Sequence, residues 1–272
     1  MSKTTQDKVD SSPVTEGGEE PPLVRMKGIT KRFGGLTALN DVDLNVDYSE
    51  VVGLVGDNGA GKSTLINILA GALDQTEGDI YYKGRKVEIK VPEDAKELGI
   101  ETVYQDLALA DNIDVAGNLF LGRELSKYSL GPFKFLAKGK MSDKAQEILD
   151  VLNINFDSMD AKVKNLSGGQ RQAIAVARSI YSEPDLVILD EPTAALAVEE
   201  SGRVLELITD LKDQGIAVIF ISHTLQEVFK VADRIVILNQ GNKVGDLKPN
   251  DTDMDEVIKL MIGGRYETNE SV

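Results

Sequence analysis

Eight consecutive residues, Gly56-Asp57-Asn58-Gly59-Ala60-Gly61-Lys62-Ser63, carry the densest chemistry in this 272-residue chain. Glycines let a backbone wrap closely enough to aim several N–H groups at one anion, and a helix N-terminus just beyond adds its dipole. The spacing is G-x-x-x-x-G-K-[ST], which requires a buried strand before it and a helix after it. Val51–Val55 is a continuous apolar run and Lys62–Ala70 reads as a helix, so both requirements are met. The chemistry expected is that of a nucleoside triphosphatase. Gly56, Asn58, Gly59, Ala60 and Gly61 cradle phosphates, Lys62 reaches the β and γ oxygens, Ser63 turns its hydroxyl to Mg²⁺, and Thr64 adds a phosphate contact. The competing reading is a glycine-rich turn of purely structural use.

A second constellation closes the apolar run Leu186-Val187-Ile188-Leu189 with Asp190 and Glu191. Neighbouring residues at a strand end point in different directions. Asp190 is therefore expected in the Mg²⁺ shell and Glu191 as the general base that polarises the attacking water. Without the phosphate loop, the same acids would read as caps of the turn at Pro192 and Thr193.

Leu166-Ser167-Gly168-Gly169-Gln170-Arg171-Gln172 resembles the LSGGQ signature of ATP-binding-cassette (ABC) ATPases. On chemistry alone, a serine and two glycines at a helix start form a second, weaker anion site, or simply an N-cap before Ile174, Ala175 and Val176. The resemblance implies that Ser167, Gly168, Gly169 and Gln170 contact the γ-phosphate of ATP held by an opposite subunit, so that the working unit is a homodimer. It also makes Gln105 the Q-loop glutamine near Mg²⁺, His223 the switch histidine at the γ-phosphate, and Phe33 the ring against adenine. His223 is the only histidine in the chain. One departure stands out: Ala194-Ala195-Leu196-Ala197 lacks the aspartate that many ABC ATPases carry at its last position.

Val103–Leu109, Asn118–Glu124 and Thr193–Glu200 are similar to ABC ATPases of the monosaccharide-uptake class. This resemblance, from about Leu23 to Gly264, implies transmembrane permease subunits as partners, an extracytoplasmic sugar-binding protein acting indirectly, and a place on the cytoplasmic face of the membrane. Another importer or an exporter would share all the catalysis. A non-transport ABC ATPase, acting on DNA or the ribosome, would show long coiled coils, paired cassettes or basic extensions, and none is visible.

The elements that must hold these residues follow from periodicity. Strands are expected at Leu23–Ile29, Asp41–Val46, Val51–Val55, Ile100–Tyr104, Leu186–Leu189, Ile216–Ile221 and Arg234–Leu238, with a hairpin at Ile80–Ile89 around Lys83-Gly84. Helices are expected at Asp143–Leu152, Gly168–Ile180, Val198–Lys212 and Leu225–Val231. The alternation predicts an α/β P-loop fold of the ABC ATPase type: a mostly parallel sheet, an antiparallel β subdomain, and an inserted helical subdomain at about 107–181 without strands. Residues 1–22 are polar and read as a disordered tail, leaving 23–272 as the ATPase domain.

Composition narrows the rest. Thirty Lys and Arg stand against 45 Asp and Glu, a formal charge of −15, which repels a polyphosphate backbone and argues against nucleic acid as a partner. Cysteine is absent, so thiolate metal sites and disulfides are excluded. No apolar run approaches the length needed to cross a bilayer.

Overall fold

The computed structural model describes residues 20–130, 133–152, 154–194 and 196–263. In chain order the elements are β1 (Val24–Phe33), β2 (Leu36–Val46), β3 (Val51–Val55), α1 (Lys62–Leu69), β4 (Glu77–Tyr82), β5 (Arg85–Val87), α2 (Pro92–Glu97) and β6 (Ile100–Val103). There follow α3 (Val115–Leu119), β7 (Ser126–Leu130), β8 (Phe133–Leu136), α4 (Lys138–Val151) and α5 (Gly168–Ile180). The chain continues through β9 (Leu186–Asp190), α6 (Val198–Asp213), β10 (Ala217–Ile221), α7 (Leu225–Val231), β11 (Arg234–Asn239), β12 (Asn242–Leu247) and α8 (Met254–Met261).

The central sheet has the order β12-β11-β3-β10-β9-β6, parallel throughout except for antiparallel β12 at one edge. The inner strands β3 and β10 carry no polar side chain, and β9 and β11 carry them only at their ends, Asp190 in one and Arg234 and Asn239 in the other, because both faces are covered. Val51 and Val55 of β3, Val187 and Leu189 of β9, and Val218 and Phe220 of β10 face one core, which they share with Phe120, Met141, Leu149 and Ile174 of the inserted helices. Val52, Leu54, Leu186, Ile188, Ala217 and Ile219 face the other, completed by α1 and the antiparallel sheet. Gly53 interrupts β3 for a packing reason. A Cβ there would stand 2.4 Å from Val228 Cγ1, so only glycine lets α7 settle onto the strand.

The second sheet, β2-β1-β4-β5, is antiparallel. Along β2, Val42, Leu44 and Val46 are buried while Asp43 and Asn45 are exposed, as their alternation requires. The β4–β5 hairpin turns on Lys83 (φ 49°) and Gly84 (φ 74°), the left-handed pair a tight turn demands. Asp185, just before β9, holds this hairpin to the central sheet: the Lys83 ammonium donates to it at 2.9 Å and the Tyr82 hydroxyl donates to it as well.

The segment between β6 and β9 corrects one expectation. It is helical at α3, α4 and α5, but β7 and β8 pair as an antiparallel hairpin within it. β12, α2, α3 and α8 are further elements that periodicity does not reveal. Of the expected tail, 1–19 lies outside the described residues, as do Ala195 and everything from Gly264 onward.

Candidate functional site

β3 ends at Val55 and α1 begins at Lys62, with the glycine-rich loop between them. Gly61 caps α1 at φ 106°, and a Cβ there would meet the Ala38 carbonyl at 2.9 Å; glycine is required twice over, by conformation and by space. The Lys62 side chain is buried, with 6% of the residue accessible, and its ammonium donates to the carbonyls of Gly56 at 2.6 Å and Asp57 at 3.1 Å. Burial pushes this ammonium below the usual lysine range, against the opposing pull of Glu191, Asp190 and Asp57.

The loop forms one wall of a cleft of about 530 Å³. Asn58, Gly59, Ala60, Gly61, Lys62, Ser63 and Thr64 line it together with Phe33, Glu191 and His223. Leu36, Thr37 and Ala38 of β2 and Gln240 and Gly241 of the β11–β12 turn complete the lining. Those five carry no motif, and only the fold brings them to the loop. Phe33 is 45% exposed, a face free for stacking, with the Lys31 ammonium 5.0 Å from its ring centroid.

At the carboxyl end of β9, Glu191 adopts φ 51°, a left-handed backbone rare for a residue with a side chain, and its N–H is held by the Ile221 carbonyl at 3.0 Å. Its carboxylate meets His223 Nε2 at 2.5 Å. The two side chains therefore converge from the ends of adjacent strands β9 and β10. Burial, then the neighbouring Glu191 charge, push the Asp190 carboxyl above its ordinary range, and Lys62 and His223 oppose this. Glu227 of α7 braces both loops: its Oε2 accepts from the Thr193 hydroxyl at 2.6 Å and from the Ser222 hydroxyl at 3.0 Å. No sequence signal distinguishes it from any other acid in a first helical turn.

Gln105 stands two residues beyond β6, exposed, and does not line the cleft. Arg178 of α5 donates to the carbonyls of Leu107 and Ala108 at 2.8 and 3.0 Å, fixing the segment that follows Gln105. Ser167 caps α5, its hydroxyl oxygen accepting from the Gln170 N–H at 3.2 Å while the Gln170 side chain accepts from the Ser167 N–H at 3.0 Å. Ser167, Gly169 and Gln170 line a separate pocket with Glu200 and Arg203, away from the phosphate loop.

A phosphate loop, an acidic strand end and a serine-glycine helix start thus occupy one chain on two surfaces, and a family profile described as ABC transporter matches residues 39–194. The chain belongs to the ABC transporter family. This ABC ATPase is 43% identical to a xylose/arabinose import ATP-binding protein of Sulfolobus acidocaldarius, over 88% of the chain and 93% of that protein. It is 40% identical to a fructose import ATP-binding protein of Rhizobium meliloti, over 93% of the chain and 98% of that protein. Against a ribose import ATP-binding protein of Clostridium tetani it is 41% identical and spans about half of that longer chain, 49%. Among solved structures, an ABC transporter's ATP-binding cassette superposes with a TM-score of 0.78 at 28% identity, covering 89% of this chain and 99% of the other. A dimeric cassette bound to ADP and phosphate, after hydrolysis, gives 0.67 at 26% identity, covering 83% and 98%. As an ABC ATPase the chain binds nucleotide. Among the described residues no helix is long and apolar enough to cross a membrane.

Proposed function

We propose that this chain hydrolyses ATP to energise the import of a monosaccharide through transmembrane permease subunits, docked at the cytoplasmic face of the membrane and fed by an extracytoplasmic sugar-binding protein. The relatives named above, import ATP-binding proteins for xylose and arabinose, fructose, and ribose, support the sugar class. The observation that carries the mechanism is the separation of two half-sites: Ser167, Gly169 and Gln170 line a different surface from the cleft that holds Lys62, Glu191 and His223. A homodimer arranged head to tail would bring them together.

In this reading the amides of Gly59, Ala60 and Gly61 and the Lys62 ammonium hold the phosphates, while Phe33 stacks on adenine. Two of the three Lys62 N–H donors go to the Gly56 and Asp57 carbonyls, which leaves the third for a phosphate oxygen. Among the described residues no cluster of three or more His, Cys, Asp or Glu could hold a metal by itself. The Ser63 hydroxyl and the Asp190 carboxylate offer hard oxygens suited to a dication shared with phosphates and would hold Mg²⁺, which would neutralise developing phosphate charge, and the Gln105 amide oxygen would join them only once the segment after β6 moves towards the cleft. Glu191 takes the proton of the attacking water, and His223, already paired with it, orients that carboxylate towards the γ-phosphate. Motion of the helical segment between β6 and β9 carries closure to the permease through Gln105.

Affinity capture of the native complex tests this. The expected result is a polytopic permease with a sugar-binding protein, and ATPase activity in the reconstituted complex that one monosaccharide stimulates. Recovery of ribosomes or DNA in their place, or indifference to every sugar, would overturn the transport reading.

A further inference from the structure

We propose that Glu200 is a built-in anion that occupies the signature helix start in the single chain, and that the γ-phosphate presented by a second copy must displace it. This deepens the half-site reading and rests on it. The reciprocal cap of Ser167 and Gln170 leaves the Ser167 hydroxyl proton and the first amides of α5 available to an outside acceptor. Glu200, in the first turn of α6, supplies that acceptor. Its side chain lies against Gly168 and Gly169 in the pocket it shares with Ser167, and the Ser167 hydroxyl, with the Ala197 and Gly169 amides, holds its carboxyl below the usual range against the opposing effect of desolvation.

The fit is close. A Cβ on Gly169 would stand 3.0 Å from Glu200 Cβ and 3.3 Å from its Cγ, and one on Gly168 would stand 3.4 Å from a Glu200 carboxylate oxygen. In this chain Gly169 therefore admits the Glu200 side chain as well as leaving room for a phosphate, while Gly168 makes room for Leu196, whose Cδ2 would stand 2.7 Å from a Cβ there. An acid in a first turn ordinarily answers its own helix dipole, and Glu199 beside it does no more than that. Glu200 differs because it crosses to the N-terminus of another helix.

Two anions cannot share these donors, and a carboxylate left against a terminal phosphate would repel it. A ligand that reaches the helix with a terminal phosphate displaces Glu200; ADP, which ends one phosphate short, leaves it in place. Because Glu200 belongs to the first turn of α6, its departure also frees the start of that helix, where the aspartate of many ABC ATPases is replaced by alanine. Glu200 thus sets a threshold for closure that ATP passes and ADP does not.

The test uses the full chain carrying Glu191→Gln, so that hydrolysis does not empty the site, and follows dimerisation by sedimentation with Mg-ATP. Adding Glu200→Gln is expected to lower the protein concentration for half-dimerisation about tenfold, the scale of one charge-assisted hydrogen bond removed from the competition. Binding of a fluorescent ATP analogue to the monomer should not change. Glu200→Asp, one methylene too short to span the gap, should move dimerisation the same way and serves if the glutamine variant folds poorly. A purely structural brace between α5 and α6 would instead lower the melting temperature and leave dimerisation unchanged or weaker. That outcome overturns the inference while the half-site reading stands, since the parent still dimerises. If the Glu191→Gln parent never dimerises with ATP, both fall together.

Discussion

Glu191 and His223 meet at 2.5 Å, and that contact sets what the residue scale predicts. Replacing Glu191 with glutamine keeps the shape and the left-handed backbone but removes the proton acceptor. Turnover should fall about 10²- to 10⁴-fold, the usual worth of a general base, with ATP affinity by calorimetry unchanged. Hydrolysis at the original rate would take the base role from Glu191. Lys62 and Glu191 were legible in the sequence because each stands in a motif whose spacing physics constrains, a loop that must wrap an anion and a strand end that must face it, whereas His223 was singled out by the resemblance to ABC ATPases. Glu227 and Glu200 were not legible. Each is an acid in a first helical turn, and only the fold shows that one braces Thr193 and Ser222 while the other lies across the glycines that open α5.

At the scale of elements, the strands buried on both faces were read correctly because nothing but apolar residues fits there; β3 and the helices α5 and α7 match to the residue. β12 escaped because Asn242, Lys243, Gly245 and Asp246 break any alternation in an edge strand. The hairpin of β7 and β8 escaped because strands of five and four residues are too short to establish an alternation, and α2 and α3, at one to two turns, are too short to show a period. Packing makes Gly53 the sharpest element-level test. Gly53→Ala forces α7 away from β3 and should cost about 1–3 kcal/mol in denaturant unfolding, the range for overpacked cores. Asp185 tests the join between the sheets. Burial alone would raise its carboxyl, but Lys83 and the Tyr82 hydroxyl outweigh this and hold it below the ordinary 3.8. Its contribution is thus complete above that ordinary value and is lost as pH falls through the lowered folded one. Asp185→Asn should cost roughly 1 kcal/mol near neutrality, discounted for a side chain 41% exposed, and the difference from the parent should vanish in strongly acidic unfolding experiments.

For the whole molecule, the decisive property is that the cleft and the signature surface lie apart on one chain. Two variants inactive by themselves, Lys62→Ala and Ser167→Arg, should therefore recover ATPase activity when mixed, because a mixed pair holds one intact cleft facing one intact signature. Recovery should approach about a quarter of the parental activity, with half the pairs mixed and one of two sites sound in each. No recovery at any ratio would mean that the two surfaces do not meet. The same geometry has a genetic corollary. A cell making, in equal amounts, normal chains and chains defective at both Lys62 and Ser167 would keep sound sites only in the roughly one quarter of its pairs built from two normal copies, so such an allele would act dominantly, spoiling healthy product rather than merely failing to add to it.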